Sequence, residues 1–192
     1  MAAVTIRKMR EEDRLQVMRI LGRWNMAPRP PTVDVPHPER AKLDVGHAFV
    51  ATAGDAVIGV ASYILHGSGV AETASLAVEP AWVGKGIGEL LQMARLIELK
   101  ARGVERLQSE ADRPDVISWY IRKFGYRVIG LARKRHEFGC VGIDHWTMLE
   151  LDLRKWRPPD QASKPHEGAP AVIHAPVTLD SGSRSGTRNG PG

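Results

Sequence analysis

A single cysteine in 192 residues, Cys140, excludes an internal disulfide and suits a reducing compartment. It lies in Gly139-Cys140-Val141-Gly142, with none of the residues that would mark it as a nucleophile. No run of 18 apolar residues exists, so no membrane-spanning helix is expected. The first residues, Met1 to Arg14, are charged and lack the apolar stretch of a secretory signal; the expected location is cytoplasmic, with no membrane partner. The histidines lack the spacing of a ligand set, so no metal is expected. A basic stripe is missing too. The net charge is +5 and the pI about 9.6, which suits a polyanionic ligand. The basic residues are nevertheless scattered among acids, without the interleaved aromatics of a nucleic-acid surface, and nucleic acid is not an expected partner.

Apolar residues form 43% of the chain, enough for the core of one domain. Residues 157–192 have a different composition: they are rich in Pro, Gly and Ser and contain no Phe, Trp or Tyr. Such a segment buries too little apolar surface to offset the entropy of ordering. The expected organisation is a domain over 1–156 and a disordered tail over 157–192.

Within the domain, strand and helix signals alternate. Val4-Thr5-Ile6 reads as a strand. Glu11 to Trp24 carries Val17, Ile20, Leu21 and Trp24 at helical spacing, with acids in its first turn. Five prolines between Asn25 and Pro38 predict an irregular loop. Strands follow at Ala48 to Ala53 and Val57 to Leu65, joined by a hairpin turn at Gly54-Asp55, and then at Val70 to Val78. A helix over Gly86 to Arg102 has Ile87, Leu90, Leu91, Ala94 and Ile97 as its apolar face and Gly103 as its stop. Arg106 to Glu110 is a strand. Pro114 opens a helix with Ile117, Tyr120, Ile121 and Phe124 on one side. Arg127 to Leu131 and Trp146 to Leu153 close the domain. Helices between strands, with hairpins included, predict an α/β (α+β) fold with a mixed central sheet rather than a doubly wound one.

The most specific segment is Leu76-Ala77-Val78-Glu79-Pro80-Ala81-Trp82-Val83-Gly84-Lys85-Gly86-Ile87-Gly88-Glu89-Leu90-Leu91. A strand ends, a short loop follows, and a helix begins inside three alternating glycines. Missing Cβ atoms and unpaired N–H groups at a helix start form an anion site suited to a pyrophosphate, to which Lys85 adds a charge. A Walker A loop needs Ser or Thr after Gly-Lys, and Gly86 stands there. A dinucleotide fingerprint needs its first glycine directly after the strand, whereas Pro80 to Val83 intervene.

This segment closely resembles motif A of the GNAT acetyltransferases, and Trp119 to Tyr126 resembles their second motif; the likeness extends over residues 3 to 153. It implies the GNAT fold, a mostly antiparallel central sheet flanked by helices. It also implies acetyl-coenzyme A as co-substrate, with its diphosphate on the backbone of Val83, Gly84, Lys85, Gly86, Ile87 and Gly88. The main chain of Leu76, Ala77 and Val78 would lie along the pantetheine arm. Two departures stand out. Val83 replaces the usual Arg or Gln, which predicts weaker affinity. Counting back from Gly125 places Ile121, not Tyr120, at the family's tyrosine position, a displacement of one residue or about 100°.

The implied reaction is direct transfer of acetyl to the primary amine of a small molecule. A protein lysine or N-terminal acceptor is the alternative within the family, and a non-catalytic acyl-coenzyme A-binding module the alternative outside catalysis. An alkylamine of pKa near 10.4 costs about 4–5 kcal/mol to deprotonate at neutral pH, so a base is useful. By resemblance to the histone-acetylating branch, Glu72 is the candidate base. As a carboxylate among small apolar residues it is expected to have a raised pKa. It lies about 13 Å before Leu76 along an extended strand, so it acts through water, anchors the substrate cation, or is only a solvent-facing acid of an edge strand. The Leu76 N–H is the implied oxyanion donor and Tyr120 the candidate acid for the thiolate; a core role for Tyr120 is equally open, and Tyr126 reads as structural. Trp24, Asn25 and Met26, after the first helix, and His145, opening the last strand, are the candidate acceptor contacts. A homodimer is a further expectation from the family.

Overall fold

The structure is a computed structural model that describes residues 3–28, 43–135 and 138–158. Most of the expected proline loop and of the expected tail lie outside these residues. The elements are β1 (Val4–Lys8), α1 (Arg14–Arg23), β2 (Ala48–Ala53), β3 (Ala56–Gly67), β4 (Val70–Val78), α2 (Ile87–Ala101), β5 (Arg106–Ala111), α3 (Pro114–Phe124), β6 (Arg127–Arg133) and β7 (His145–Asp152). Among the described residues the strands form one sheet in the order β1-β2-β3-β4-β5-β7-β6. Every pairing is antiparallel except β4 with β5. The mixed sheet expected from the hairpins, mostly antiparallel as the family resemblance implies, is what forms.

Alternation along the central strands sends side chains to two cores. Val50, Val57, Val60 and Ala77 meet Val17, Ile20 and Leu21 of α1 on one face. Ala51, Ile58 and Ala61 meet Ile87, Leu91, Leu96 and Leu99 of α2 on the other, which Tyr120 and Phe124 of α3 extend. The sheet is thus covered on both sides, and each buried face follows from a period of 2 meeting a period of 3.6.

Three expectations need correction. The first helix opens as a 3₁₀ turn, Glu11–Asp13, before α1 begins. On α2, Ile97 is 46% exposed, while Gln92 and Arg95 are fully buried. The inward face is therefore Ile87, Leu91, Gln92, Arg95, Leu96 and Leu99. Apolar periodicity cannot register polar side chains whose hydrogen bonds are met inside the protein. On α3, Ile121 is exposed and Tyr120 buried. The helix runs to Phe124 and stops at Gly125 (φ 78°), with the Tyr126 N–H donating back to the Tyr120 carbonyl.

One irregularity of the sheet makes the site. Strand β4 pairs with β5 only from Val70↔Arg106 to Thr73↔Ser109, yet it continues to Val78. From Ala74 onward the two strands diverge. A bulge in β4 coincides with the divergence: Ser75 opposes Ser62 and Thr73 opposes Tyr63, leaving Ala74 as the extra residue.

Candidate active site

The diverging strands open a cleft of about 860 Å³. Leu76, Ala77 and Val78 form one wall and Ser109 to Arg113 the other. Val83, Gly84, Gly86 and Gly88 line the end beside α2. Trp24, Asn25 and Met26 line it as well, together with Glu72, Phe138 and Trp146. The two halves of the expected site, far apart in sequence, therefore share one cavity. Lys85 and Ile87 contribute differently: Lys85 Nζ sits 4.8 Å from the Trp82 ring centroid, and the Ile87 side chain enters the core.

The glycine loop has the geometry of an anion cradle. The first helical hydrogen bond of α2 runs from the Leu90 N–H to the Gly86 carbonyl, at 3.1 Å. The N–H groups of residues 86–89 are therefore outside the helical ladder, and the N-cap, Gly86, has no side chain to occupy them. Gly84 and Gly86 are at φ 79° and 80°, with open space where a Cβ would stand. Backbone conformation, not crowding, requires glycine there. Gly88 is helical, and a Cβ would meet only Val78 Cγ2, at 3.9 Å. The fold accepts a side chain at 88; the space that its absence leaves belongs to the cleft. Donors, dipole and room all suit a diphosphate.

Behind the middle of the cleft lies a polar group that the sequence did not disclose. Arg95 is completely buried. Its Nη1 donates to the carbonyls of Ser62 and Ser75, both at 2.8 Å, at the bulge. Its Nε donates to Gln92 Oε1 at 3.0 Å, which Nη2 also contacts, and Nη2 reaches the Tyr120 hydroxyl oxygen at 3.3 Å. Gln92 in turn donates to the Tyr126 hydroxyl at 3.0 Å. Full burial, then the neighbouring Tyr120 phenol, pushes the Tyr126 phenol well above its ordinary value. Tyr126 is thus a neutral structural partner. Tyr120 is packed and also lines the cleft, with Trp119 and Tyr126 edge-on against its ring.

Glu72 is not the isolated carboxylate that its neighbours in sequence imply. His66 Nε2 lies 3.1 Å from its Oε2, because the β3–β4 hairpin brings the two together. The register Glu72↔Gln108 also places Glu110, two residues further along β5, on the same face, and Glu110 lines the cleft. Trp24 is tied to the strand: its Nε1 donates to the Val78 carbonyl at 2.9 Å. Asn25, in the left-handed region at φ 52°, accepts from the Gly139 N–H at 2.9 Å. Met26 packs against the α1 core. His145 is a correction. It is exposed and pairs with Asp144 at 3.1 Å, outside the cleft lining; the next residue, Trp146, takes the wall because side chains alternate across β7.

Sequence reasoning missed Trp119, Trp146, Glu110 and the 138–140 turn. The turn is shaped by Lys134, whose Nζ lies 2.6 Å from Asp112 Oδ2 and 2.8 Å from the Phe138 carbonyl. Asp112 also accepts from the Cys140 N–H at 2.7 Å. The one available signal was positional, since Ser109 to Arg113 leave the C-terminal end of a strand beside its parallel neighbour, where ligands gather in α/β sheets.

A mixed sheet that opens between β4 and β5, beside an uncapped helix N-terminus, forms a cleft suited to an extended anionic ligand. Solved structures share the fold. The ribosomal-protein-S18-alanine N-acetyltransferase of Escherichia coli is 19% identical, with 78% of this chain and 94% of that one covered and a TM-score of 0.64. A GCN5-related N-acetyltransferase from Kribbella flavida gives 19%, 78%, 98% and 0.60. N-acetylglutamate synthase of Neisseria gonorrhoeae, solved with coenzyme A and N-acetyl-glutamate, gives 17%, 80%, 36% and 0.58. No curated protein matches the sequence. Residues 44–128 match the family described as the acetyltransferase (GNAT) domain. The match spans less than half of the chain, and together with the shared fold it makes the chain similar to the GNAT acetyltransferases.

Proposed function

We propose that this chain transfers acetyl from acetyl-coenzyme A directly to the primary amine of a small molecule. The observation that carries the reading is the meeting, in one cleft, of the β4 edge freed from β5 and the uncapped start of α2. The N–H groups around Gly84 to Gly88 hold the diphosphate, and the β4 edge from Leu76 to Val78, which β5 does not pair, runs beside the pantetheine. The Leu76 N–H donates to the acetyl oxygen as charge develops on it. Glu72 takes, through water, the proton that the amine loses. Tyr120 donates a proton to the sulfur as the C–S bond breaks and the N–C bond forms.

Two features favour a small cationic acceptor. Glu72 and Glu110 put carboxylates on one face of the acceptor region. The 138–140 turn, joined to Asn25, lines the same cavity as these carboxylates. A single cysteine supports a cytoplasmic setting. No helix of the described residues is long and apolar enough to cross a membrane.

The test is calorimetric titration with acetyl-coenzyme A, followed by an acceptor panel of small amines and N-terminal peptides. Gly88→Glu is the control, because position 88 accepts a side chain at helical φ and the substitution sets a carboxylate against the diphosphate. Binding by the wild type that Gly88→Glu abolishes supports the donor site. Equal binding by both, or none, sinks it. Acetylation of peptides alone would move the acceptor class to proteins, the class in the Escherichia coli relative's name.

A further inference from the structure

We infer that Arg95 is a positioning residue for acyl transfer, holding the Ser75–Leu76 peptide and the Tyr120 hydroxyl while placing a fixed positive charge behind both. The inference rests on the transferase reading above. Arg95 is fully buried, and among the described residues its hydrogen-bond acceptors are all neutral: two carbonyls, an amide oxygen and a phenol. Burying a cation without a carboxylate is unfavourable compared with an apolar side chain of similar size, so filling space does not account for it.

The geometry does. The described chain has no cis peptide, so the Ser75 carbonyl and the Leu76 N–H lie in one plane and point opposite ways. Anchoring that carbonyl at 2.8 Å sets the direction of the N–H and polarises it toward stronger donation. The bulge at Ala74 is what turns the carbonyls of Ser62 and Ser75 to a shared guanidinium. The Tyr120 oxygen accepts from Nη2, which leaves its own single hydrogen to donate elsewhere. Gln92, itself bonded to Tyr126, fixes the guanidinium in place. The same side chain thus orients the two donors that meet the oxygen and the sulfur, and its charge favours the negative charge that both acquire.

The experiment compares wild type, Arg95→Met, Arg95→Lys and Tyr120→Phe for acetyl-coenzyme A affinity, kcat, KM and thermal midpoint. Arg95→Met is expected to lower kcat about 100-fold, with donor affinity held within about threefold. Arg95→Lys, which keeps the charge and loses the fork, should fall between. Adding Tyr120→Phe to Arg95→Met should cost less than the product of the single losses. Folded Arg95→Met with kcat within about twofold of wild type overturns the inference. So does a loss of kcat matched by an equal loss of donor affinity. If Arg95→Met does not fold, Gln92→Leu replaces it, and a kcat drop of about tenfold at unchanged affinity is expected. Independently of turnover, the backbone amide resonance of Leu76 should shift in Arg95→Lys, and an unmoved resonance overturns the clamp. A wild type that binds acetyl-coenzyme A and acetylates nothing refutes the transferase reading instead, while the Leu76 resonance still reports on Arg95.

Discussion

At Asp13 a single side chain holds the entrance to α1. Its carboxylate accepts two bonds from Arg7, at 2.6 and 2.8 Å, and one from the Arg10 N–H at 2.8 Å, in a buried position. The Arg7 hydrogen bond, the largest influence, holds its pKa below the ordinary carboxylate range. A depressed folded pKa contributes stability that is present above the unfolded value and lost as pH falls through the folded one. Asp13→Asn should therefore cost about 2–3 kcal/mol at neutral pH, with the gap from wild type closing below about pH 4. Urea unfolding across that range reads it. Glu72 is tested by turnover instead. Glu72→Gln should lower kcat/KM about 100-fold through kcat. An unchanged kcat removes the base, and a raised KM at constant kcat makes Glu72 a substrate anchor.

Between elements, the position of α2 over the sheet depends on a close approach at Gly59 in β3. A Cβ there would stand 2.9 Å from Leu91 Cδ1, 3.2 Å from the Ala77 carbonyl oxygen and 3.3 Å from Ile87 Cγ2. Leu91 can turn aside; the β4 backbone cannot. Gly59→Ala should destabilise by about 1–3 kcal/mol in denaturant unfolding. It should also weaken acetyl-coenzyme A binding, because Ile87 opens the helix whose N-terminus lines the cleft. A variant as stable as wild type would show that helix and sheet separate here without cost.

Across the whole molecule, charge is distributed unevenly around one cavity. The chain is net positive, and Lys85 stands beside the glycine loop, whereas the acceptor region presents Glu72 and Glu110. On the function proposed above, the loop attracts the anionic donor and the carboxylates attract a cationic acceptor. Lys85→Ala should weaken acetyl-coenzyme A binding about three- to tenfold at low salt, with the difference shrinking as salt rises. Equal affinity at low salt would assign the loop's selectivity to its backbone donors alone.

Much of this protein was legible from local pattern. The β2–β3 hairpin, β4 from Val70 to Val78, the stop of α2 at Gly103 and the uncapped glycine loop depend on neighbours in sequence, so alternation, turn residues and missing Cβ atoms disclose them. What only the tertiary structure decided depends on partners far along the chain. Arg95 reads as a surface residue until Ser62, Ser75 and Tyr120 supply its acceptors. His66 meets Glu72 only through the hairpin register, and Trp146, not His145, faces the cleft because of strand phase. Tyr120, not Ile121, turns inward, where Trp119 and Tyr126 pack against its ring and Arg95 reaches its hydroxyl. The cavity itself exists because β4 leaves β5 after Thr73, and a strand's departure from its neighbour is a property of the pair.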